Sequence, residues 1–367
     1  MATDAINNPP QSEQSKRLQS DVVKPLSEAD RLNQGVLEQI ALDKQKLSNG
    51  AQELLAQPRP KNTAEVDAQV AKAGDSVPDL KLIRPGDTVR ETVDLDGQKR
   101  DFFLHIPKNY DASKPTALVM VFNGYSDKPG QGGAAAGGAG MEQITGMSQK
   151  ADDKNFIVAY MDGNPNDKFS WNNKEWWFSG QDDLKLTKNV LASIKQDFNV
   201  DPARQYLSGF SQGGSFAHRV ANEMPGQFAA IATVSTWMTG MEKPHSDNLS
   251  VLNIHSKDDP TVPFDGRIMG VTMKPQEHIY DHYAQLDGIT QPAQASTFTG
   301  LNGSNVDVLR GVNEQTGAEV QQVFVHHEGH LWFGGFGDEK SAVNATDMVV
   351  DFLLSHPKRE PGQNQSS

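Results

Sequence analysis

The sequence contains no cysteine. That absence excludes disulfides, a thiolate nucleophile, iron–sulfur clusters and cysteine-ligated zinc. Aromatic residues are missing from the N-terminal stretch, where the first is Phe102. A segment without large aromatic side chains has little apolar area to set against its ordering entropy. Residues 1–82 are therefore expected to form a polar extension, partly helical or disordered. Basic residues are also in short supply, with 34 Lys and Arg against 47 Asp and Glu, a formal net charge of −13. So acidic a chain offers no electrostatic footprint for nucleic acid or for an anionic membrane surface, and neither is expected as a partner. Long apolar runs are lacking too. Ala117 to Phe122, and Met348 to Leu354 with Asp351 inside it, fall far below the ~20 residues of a transmembrane helix. Residues 1–20 are rich in Asn, Gln, Ser and Pro and hold no apolar core segment. No Sec-type signal peptide is expected in the sequence as it stands, which leaves the cytoplasm or export by a non-Sec route.

One part of the extension has helical texture. Ser27-Glu28-Ala29-Asp30 reads as an N-cap with an acidic first turn, and Leu32, Val36 and Ile40 follow at helical spacing until Pro58 and Pro60 end the pattern. Residues 27–57 could lie on the main domain or serve as a docking helix for a chaperone or partner. From residue 83 to 358 the texture is that of a folded domain, and residues 359–367 read as a disordered tail. Thr88 to Leu95 and Arg100 to Ile106 flank the turn signal Asp96-Gly97 and predict a hairpin. Continuous apolar runs at Thr116–Phe122, Phe156–Tyr160, Gln205–Phe210, Ala229–Val234, Val251–Ile254 and Val323–Val325 predict strands buried on both faces. Helical patterns run between them, one with Leu184, Val190, Leu191, Ile194 and Phe198 on its apolar face. Alternating strands and helices predict an α/β fold with a mostly parallel central sheet covered on both faces. The Gly/Ala-rich stretch Gly130–Gly140 reads as a loop, since its glycines lack the spacing of a nucleotide-binding turn.

Gly209-Phe210-Ser211-Gln212-Gly213 lies where a predicted strand passes into a predicted helix, which is the setting of a G-x-S-x-G nucleophile elbow. So tight a turn forces the serine into a strained backbone conformation, lifts its Oγ above the sheet edge and aims the Gln212 N–H into the site. The bland alternative is an ordinary Gly-rich helix cap. A hydroxyl nucleophile needs a base, and the base needs an orienting acid, in the chain order Ser, acid, His. Both are found downstream. Asp258 and Asp259 follow the strand ending at Ile254; Asp259, held extended by Pro260, is the better acid, and Asp258 reads as a solvated turn residue. His326, His327 and His330 follow the next strand. His330 is the candidate base, while His326 and His327, continuing the strand, should point to opposite faces with one of them buried. A metal cluster built from these histidines and Glu328 matches none of the familiar zinc spacings, so no metal is expected.

Three blocks together resemble the polyhydroxybutyrate depolymerase and feruloyl-esterase branch of the α/β-hydrolase superfamily, over roughly residues 85–356. They are Ser211-Gln-Gly-Gly-Ser-Phe-Ala-His-Arg with its continuation to Phe228-Ala-Ala-Ile-Ala232, then His255-Ser-Lys-Asp-Asp-Pro-Thr-Val-Pro263, and Gly329-His330-Leu331-Trp332. The resemblance implies an α/β-hydrolase fold and a serine esterase with Ser211 as nucleophile, Asp259 as acid and His330 as base. It also implies an oxyanion hole from the backbone N–H groups of Gln212 and Tyr125, with no metal or organic cofactor. Asn123-Gly124-Tyr125 stands where the branch usually has His-Gly-Cys. Substrate contacts are expected from Asn123, from Trp171 by its family position, from Trp332 two residues after His330, and from Trp237 after the strand ending at Val234. Trp176 and Trp177 are candidates for a lid or aromatic platform. The expected substrate is a hydroxyalkanoate or hydroxycinnamoyl ester. The alternatives are acetyl-xylan or another carbohydrate ester, or the same chemistry in a non-Sec exported effector. A non-catalytic binding module and a peptidase of the same superfamily are the rival classes. The filled triad argues against the first, and an N-terminal extension too poor in aromatics to form a gating domain argues against the second.

Overall fold

A computed structural model describes residues 83–125, 137–166, 170–173, 181–242, 248–268, 271–336, 338 and 340–358. These lie in the second of the two units into which the chain divides, Lys46–Ser367. The helix expected within 27–57, the tail 359–367 and Trp176 and Trp177 lie outside the described residues.

The Asp96-Gly97 turn, with φ of 52° and 83°, joins β1 (Thr88–Leu95) to β2 (Gln98–His105) as an antiparallel hairpin. The apolar runs then become β3 (Thr116–Phe122), β4 (Phe156–Met161), β5 (Val200–Phe210), β6 (Ala230–Val234) and β7 (Ser250–Ser256). Beyond a two-stranded ribbon of β8 (Arg267–Ile268) and β9 (Val271–Thr272) come β10 (Gln294–Thr299), β11 (Asn305–Val312) and β12 (Glu319–Val325). The main sheet has the order β1-β2-β4-β3-β5-β6-β7-β12-β11-β10. Strands β4, β3, β5, β6, β7 and β12 are parallel to one another, and antiparallel strands extend the sheet on either side.

Every residue of β3, β4, β6 and β7 is buried, as continuous rather than alternating apolar runs require. The two faces pack separate cores. Leu118, Met120 and Phe122 meet α3 (Asp183–Asp197), α4 (Gln212–Glu223) and α5 (Glu277–Leu286) through Val190, Ile194, Phe216, Val220 and Tyr283. Val119 and Val121 face α1 (Gly137–Thr145), α2 (Met147–Lys154) and α6 (Ala345–Ser355) through Met141, Met147, Val349 and Leu353. Each fully buried side chain of this kind contributes roughly 1.5–3 kcal/mol of transfer free energy.

The loop expected over Gly130–Gly140 is corrected at its C-terminal end, since Gly137–Gly140 form the first turn of α1. There the Gly138 N–H donates to the Asp162 carboxylate at the end of β4, a tertiary anchor that composition does not reveal.

The chain crosses from β3 to β4 on one side and resumes with β5 on the other, so the order reverses between β3 and β5. In open α/β sheets the crevice beyond the carboxyl ends at such a reversal is where ligands bind. Phe122 ends β3 and Phe210 ends β5 at that crevice.

A buried ion pair braces one wall. The Arg100 guanidinium donates to Asp183 at 3.2 Å, to the Gln181 side chain and to the Asp162 carbonyl. Asp183 in turn accepts the Asn172 N–H at 2.8 Å, holding the segment around Trp171. Arg100→Met strands this carboxylate in the interior and is expected to lower the unfolding free energy by about 3–5 kcal/mol, read by urea denaturation.

At the far side Glu319 of β12 accepts two hydrogen bonds from Arg310 of β11, at 2.8 and 2.7 Å, and lies 3.5 Å from His356 at the end of α6. Burial works to raise its pKa, but the His356 and Arg310 contacts outweigh it and bring the carboxyl to about 2. Since the folded pKa is below the unfolded one, this stabilisation is present above the ordinary value of 4.5 and is lost as pH falls toward 2. Glu319→Gln should therefore flatten the acid limb of stability against pH by up to one proton's slope; an unaltered slope would contradict the assignment.

Candidate active site

Ser211 lies between β5 and α4 with φ 54° and ψ −123°. A side-chain-bearing residue in this region carries roughly 1–3 kcal/mol of strain and persists only where its surroundings over-determine it. They do so here. The Ser211 N–H donates to the Val234 carbonyl at 3.0 Å, and its own carbonyl accepts from Ser215 N–H at 3.1 Å and from the Thr236 hydroxyl at 2.8 Å. The two flanking glycines are needed for close approach. A Cβ on Gly209 would sit 2.6 Å from the Gly213 carbonyl carbon, and one on Gly213 would collide with the Phe122 and Asn123 carbonyl oxygens. The elbow thus packs directly beneath the end of β3.

The candidate acid, Asp259, lies in the turn after β7. Asp259 is buried. Its Oδ1 accepts the N–H groups of Thr261 and Val262, both at 2.8 Å, and its Oδ2 lies 2.7 Å from Nδ1 of His330. Burial pushes the pKa of this carboxyl up, but the His330 hydrogen bond and charge together with the Val262 N–H outweigh it and hold the group below its ordinary value. An ionised Asp259 only accepts, so the proton sits on Nδ1 and the lone pair on Nε2. That Nε2 lies 2.8 Å from Ser211 Oγ. Ser211, His330 and Asp259, distant in sequence, thus form one continuous hydrogen-bonded array. The Phe210 ring flanks the imidazole with centroids 5.0 Å apart.

The loop carrying His330 is fastened at several points. β12 ends at Val325, and His327 turns the chain with φ 61°. The His327 N–H donates to the Asp258 carboxylate and the Ser256 hydroxyl to the Glu328 carbonyl, at 2.8 and 2.6 Å. The Glu328 carboxylate accepts from Ser341 and Ala342. The Ser235 hydroxyl donates to the Leu331 carbonyl at 2.7 Å. Asp258, expected to be a solvated turn residue, is therefore a clamp on the histidine loop. The expectation that His326 or His327 is buried is corrected, because the strand ends one residue earlier and both retain solvent contact. The three histidines diverge, with His326 on Asp307, His327 near Asp258 and His330 on Asp259 and Ser211. Among the described residues no group of three or more His, Asp or Glu is arranged to hold a metal.

His255, within the block that carries Asp259, is fully buried with Nε2 2.9 Å from the Val262 carbonyl. Burial drives its pKa down to about 4, against the nearby Asp259 charge. It is neutral at pH 7 and holds the turn that presents the acid.

The four expected substrate contacts are corrected: all are buried scaffold. Trp171 has no solvent exposure. Its indole N–H donates to the Asn123 carbonyl at 2.8 Å, and its ring stacks on Phe216 at 4.9 Å. Asn123 spends its side chain on Gly163 N–H and the Gly124 carbonyl, shaping the turn that leads to Tyr125. Trp332 donates to Thr346 at 2.8 Å and roots the histidine loop in the core. Trp237 packs with Val262 beside the acid turn. The exposed apolar side chains here are instead Tyr125, after β3, and Leu331, next to His330. The expected oxyanion donors sit at Gln212, first residue of α4, and Tyr125. A first-turn N–H has no acceptor within its own helix. Gln212 is also tied by its carboxamide to the Trp171 backbone at 3.2 and 3.3 Å.

Comparison with known proteins bears on the fold and on what the chain is similar to. Residues 94–265 match the Esterase family. The protein named "Probable feruloyl esterase C" of Aspergillus flavus is 29% identical over 47% of this chain and 59% of its own length. The chain thus spans under two thirds of that relative. NocK of Nocardia uniformis, which carries an esterase name, is 27% identical over 73% of this chain and 82% of its own. In three dimensions the acetyl xylan esterase from Aspergillus awamori superposes with a TM-score of 0.51 at 14% identity, covering 72% of this chain and 99% of that one. The likeness in structure bears on the fold alone. The elbow, the sheet order and the family match over residues 94–265 point the same way: the fold is that of an α/β-hydrolase, and the chain is similar to the esterases built on it.

Proposed function

We propose that this protein hydrolyses carboxylic esters through an acyl-enzyme formed on Ser211. The observation that carries the reading is the 2.8 Å contact from Ser211 Oγ to His330 Nε2, continued at 2.7 Å from His330 Nδ1 to Asp259. His330 takes the hydroxyl proton as Oγ attacks the ester carbonyl. Asp259 stabilises the imidazolium without being protonated itself. The N–H groups of Gln212 and Tyr125 receive the oxyanion, supported by the positive end of α4. Packing of Gly213 against the Phe122 and Asn123 carbonyls, which sets the Tyr125 segment beside the elbow, supports that pairing. His330 then protonates the leaving alkoxide, and water repeats the cycle on the acyl-enzyme, so no external acid, base or cofactor is consumed.

For the substrate, hydroxycinnamoyl esters are the leading class. The names of the feruloyl esterase relatives support it, and so do the exposed Tyr125 and Leu331, which offer an aromatic and an aliphatic surface near the nucleophile. Hydroxyalkanoate oligomers and acetylated xylan are the competing esters.

Ser211→Ala and His330→Ala should each lower kcat on p-nitrophenyl acetate and butyrate by about 10³-fold or more, with the fold intact by circular dichroism. Rates equal to wild type would remove the reading. Asp259→Asn keeps the shape but frees the imidazole tautomer, and a loss on the order of 10³–10⁴-fold in kcat is expected. A panel of methyl ferulate, hydroxybutyrate oligomers and acetylated xylan should give the highest kcat/KM on methyl ferulate. A preference for either of the others would reassign the substrate and leave the chemistry standing.

A further inference from the structure

A buried amide links the segment after β6 to the two strands that lead to Asp259 and His330. Gln276, just before α5, is fully buried, and its Nε2 donates to the Thr236 carbonyl at 2.7 Å. Thr236 in turn donates its hydroxyl to the Ser211 carbonyl at 2.8 Å. The Gln276 Oε1 accepts from Asn253 Nδ2 of β7 at 3.3 Å. Its backbone N–H reaches the Phe264 carbonyl beyond the acid turn at 3.0 Å, and its carbonyl accepts Gln322 Nε2 of β12 at 2.7 Å. One residue therefore ties the segment after β6 that holds the nucleophile elbow, the strand that leads to Asp259 and the strand that leads to His330. These direct partners, Thr236, Asn253, Phe264 and Gln322, carry no ionisable group.

The orientation of the amide is forced. A backbone carbonyl only accepts, so Nε2 faces Thr236 and Oε1 faces Asn253. Asn253 Oδ1 then takes the Thr233 hydroxyl proton at 3.2 Å, and the Thr233 oxygen takes His218 Nε2–H at 3.4 Å. His218 Nδ1 is left to accept from Tyr283 at 2.9 Å. This neutral tautomer agrees with burial, which depresses the His218 pKa to about 3. Donors therefore point in one direction from Tyr283 inward to Thr236. Aligned hydrogen bonds of this kind polarise and stiffen one another.

We propose that Gln276 is a positioning residue for ester hydrolysis, holding through Thr236 the strained Ser211 backbone at the height where Oγ meets His330. The proposal rests on the esterase reading and adds to it a residue that touches neither substrate nor reacting atoms. Its side chain makes the Nε2 bond that no apolar residue of similar size can make.

The test uses the full chain with Gln276→Met and Gln276→Glu. The readouts are kcat and KM on p-nitrophenyl acetate and the second-order rate of Ser211 labelling by a fluorophosphonate probe. Gln276→Met should lower kcat and the labelling rate by about 10-fold, the worth of one buried hydrogen bond, with KM within about 2-fold. Gln276→Glu gives a signature that a purely structural role would not. Burial raises the introduced carboxyl's pKa toward neutrality, and its protonated form can donate to the Thr236 carbonyl while the ionised form cannot. The ratio of its labelling rate to that of wild type should therefore fall as pH rises from about 5.5 to about 8.5. A folded Gln276→Met with wild-type kcat and labelling overturns the proposal, as does a Gln276→Glu ratio that stays level with pH. If Gln276→Met fails to fold, the Gln276→Glu ratio alone decides. A wild type that labels but cleaves none of the tested esters faults only the substrate reading, and the labelling rates still decide for Gln276. A wild type that does not label removes the esterase reading and this inference together.

Discussion

A serine held at φ 54° has to be kept there by its neighbours, and much of the surrounding architecture serves that constraint. The elbow needs Gly209 and Gly213 so that α4 can begin directly beneath the end of β3. The Ser211 N–H needs an acceptor on β6, and finds it at Val234 only because β5 and β6 pair in parallel with Phe210 beside Val234. Without the elbow the Oγ would lie along the strand rather than above the sheet edge, and a base arriving from β12 would have nothing to meet. Strain at a functional site is thus offset by ordinary β-sheet hydrogen bonding.

The electrostatics follow from which carboxylate is buried. Asp258 and Asp259 are neighbours, yet one clamps a backbone N–H and the other faces the imidazole. Asp259 is removed from water but receives two backbone N–H groups and the His330 ring, and these together keep it ionised against the cost of burial. His255 helps by remaining neutral, since a second imidazolium beside Asp259 would compete with His330 for the same oxygen. The same desolvation acts on both groups: at His255 it outweighs the Asp259 charge and keeps the ring neutral, and at Asp259 it is overcome by hydrogen bonds and the His330 charge.

What was legible in the sequence was whatever local chemistry dictates. Continuous apolar runs announced buried parallel strands, and G-x-S-x-G announced a turn that only small flanking residues permit. Chain order pointed to Asp259 and His330, the two side chains that the structure joins by a hydrogen bond. Tertiary burial was not legible. Trp171, Trp237 and Trp332 have compositions and positions equally compatible with a cleft wall or a core, and only packing against Phe216, Val262 and Thr346 decides for the core. The β10–β11 hairpin went unseen because Gln-Ala-Ser-Thr-Phe-Thr of β10 is exposed throughout and shows no alternation of apolar and polar residues. His326 and His327 misled because a strand pattern was extended past the residue where φ turns positive. Gln276 sits in no motif, and its importance lies in tertiary contacts with the segment after β6 and with the middles of β7 and β12.

The burial of the site's tryptophans also constrains how specificity can arise. Trp171 supports the Asn123 turn from below, Trp332 anchors the histidine loop and Trp237 backs the acid turn. Each aromatic is spent on holding one loop of the site at its proper height, with the polar edge of Trp171 and of Trp332 satisfied by a partner inside the protein, as buried indoles require. In the proposed ester hydrolysis, recognition of an acyl group falls to side chains that remain in contact with water, of which Leu331 adjoins His330 in sequence and Tyr125 follows the Asn123 turn. Both belong to segments whose backbone is fixed by other residues: the Asn123 side chain on one side and the Ser235 hydroxyl on the other. A rigid frame with variable tips lets specificity change by replacing those two side chains while the distances among Ser211, His330 and Asp259 stay as they are.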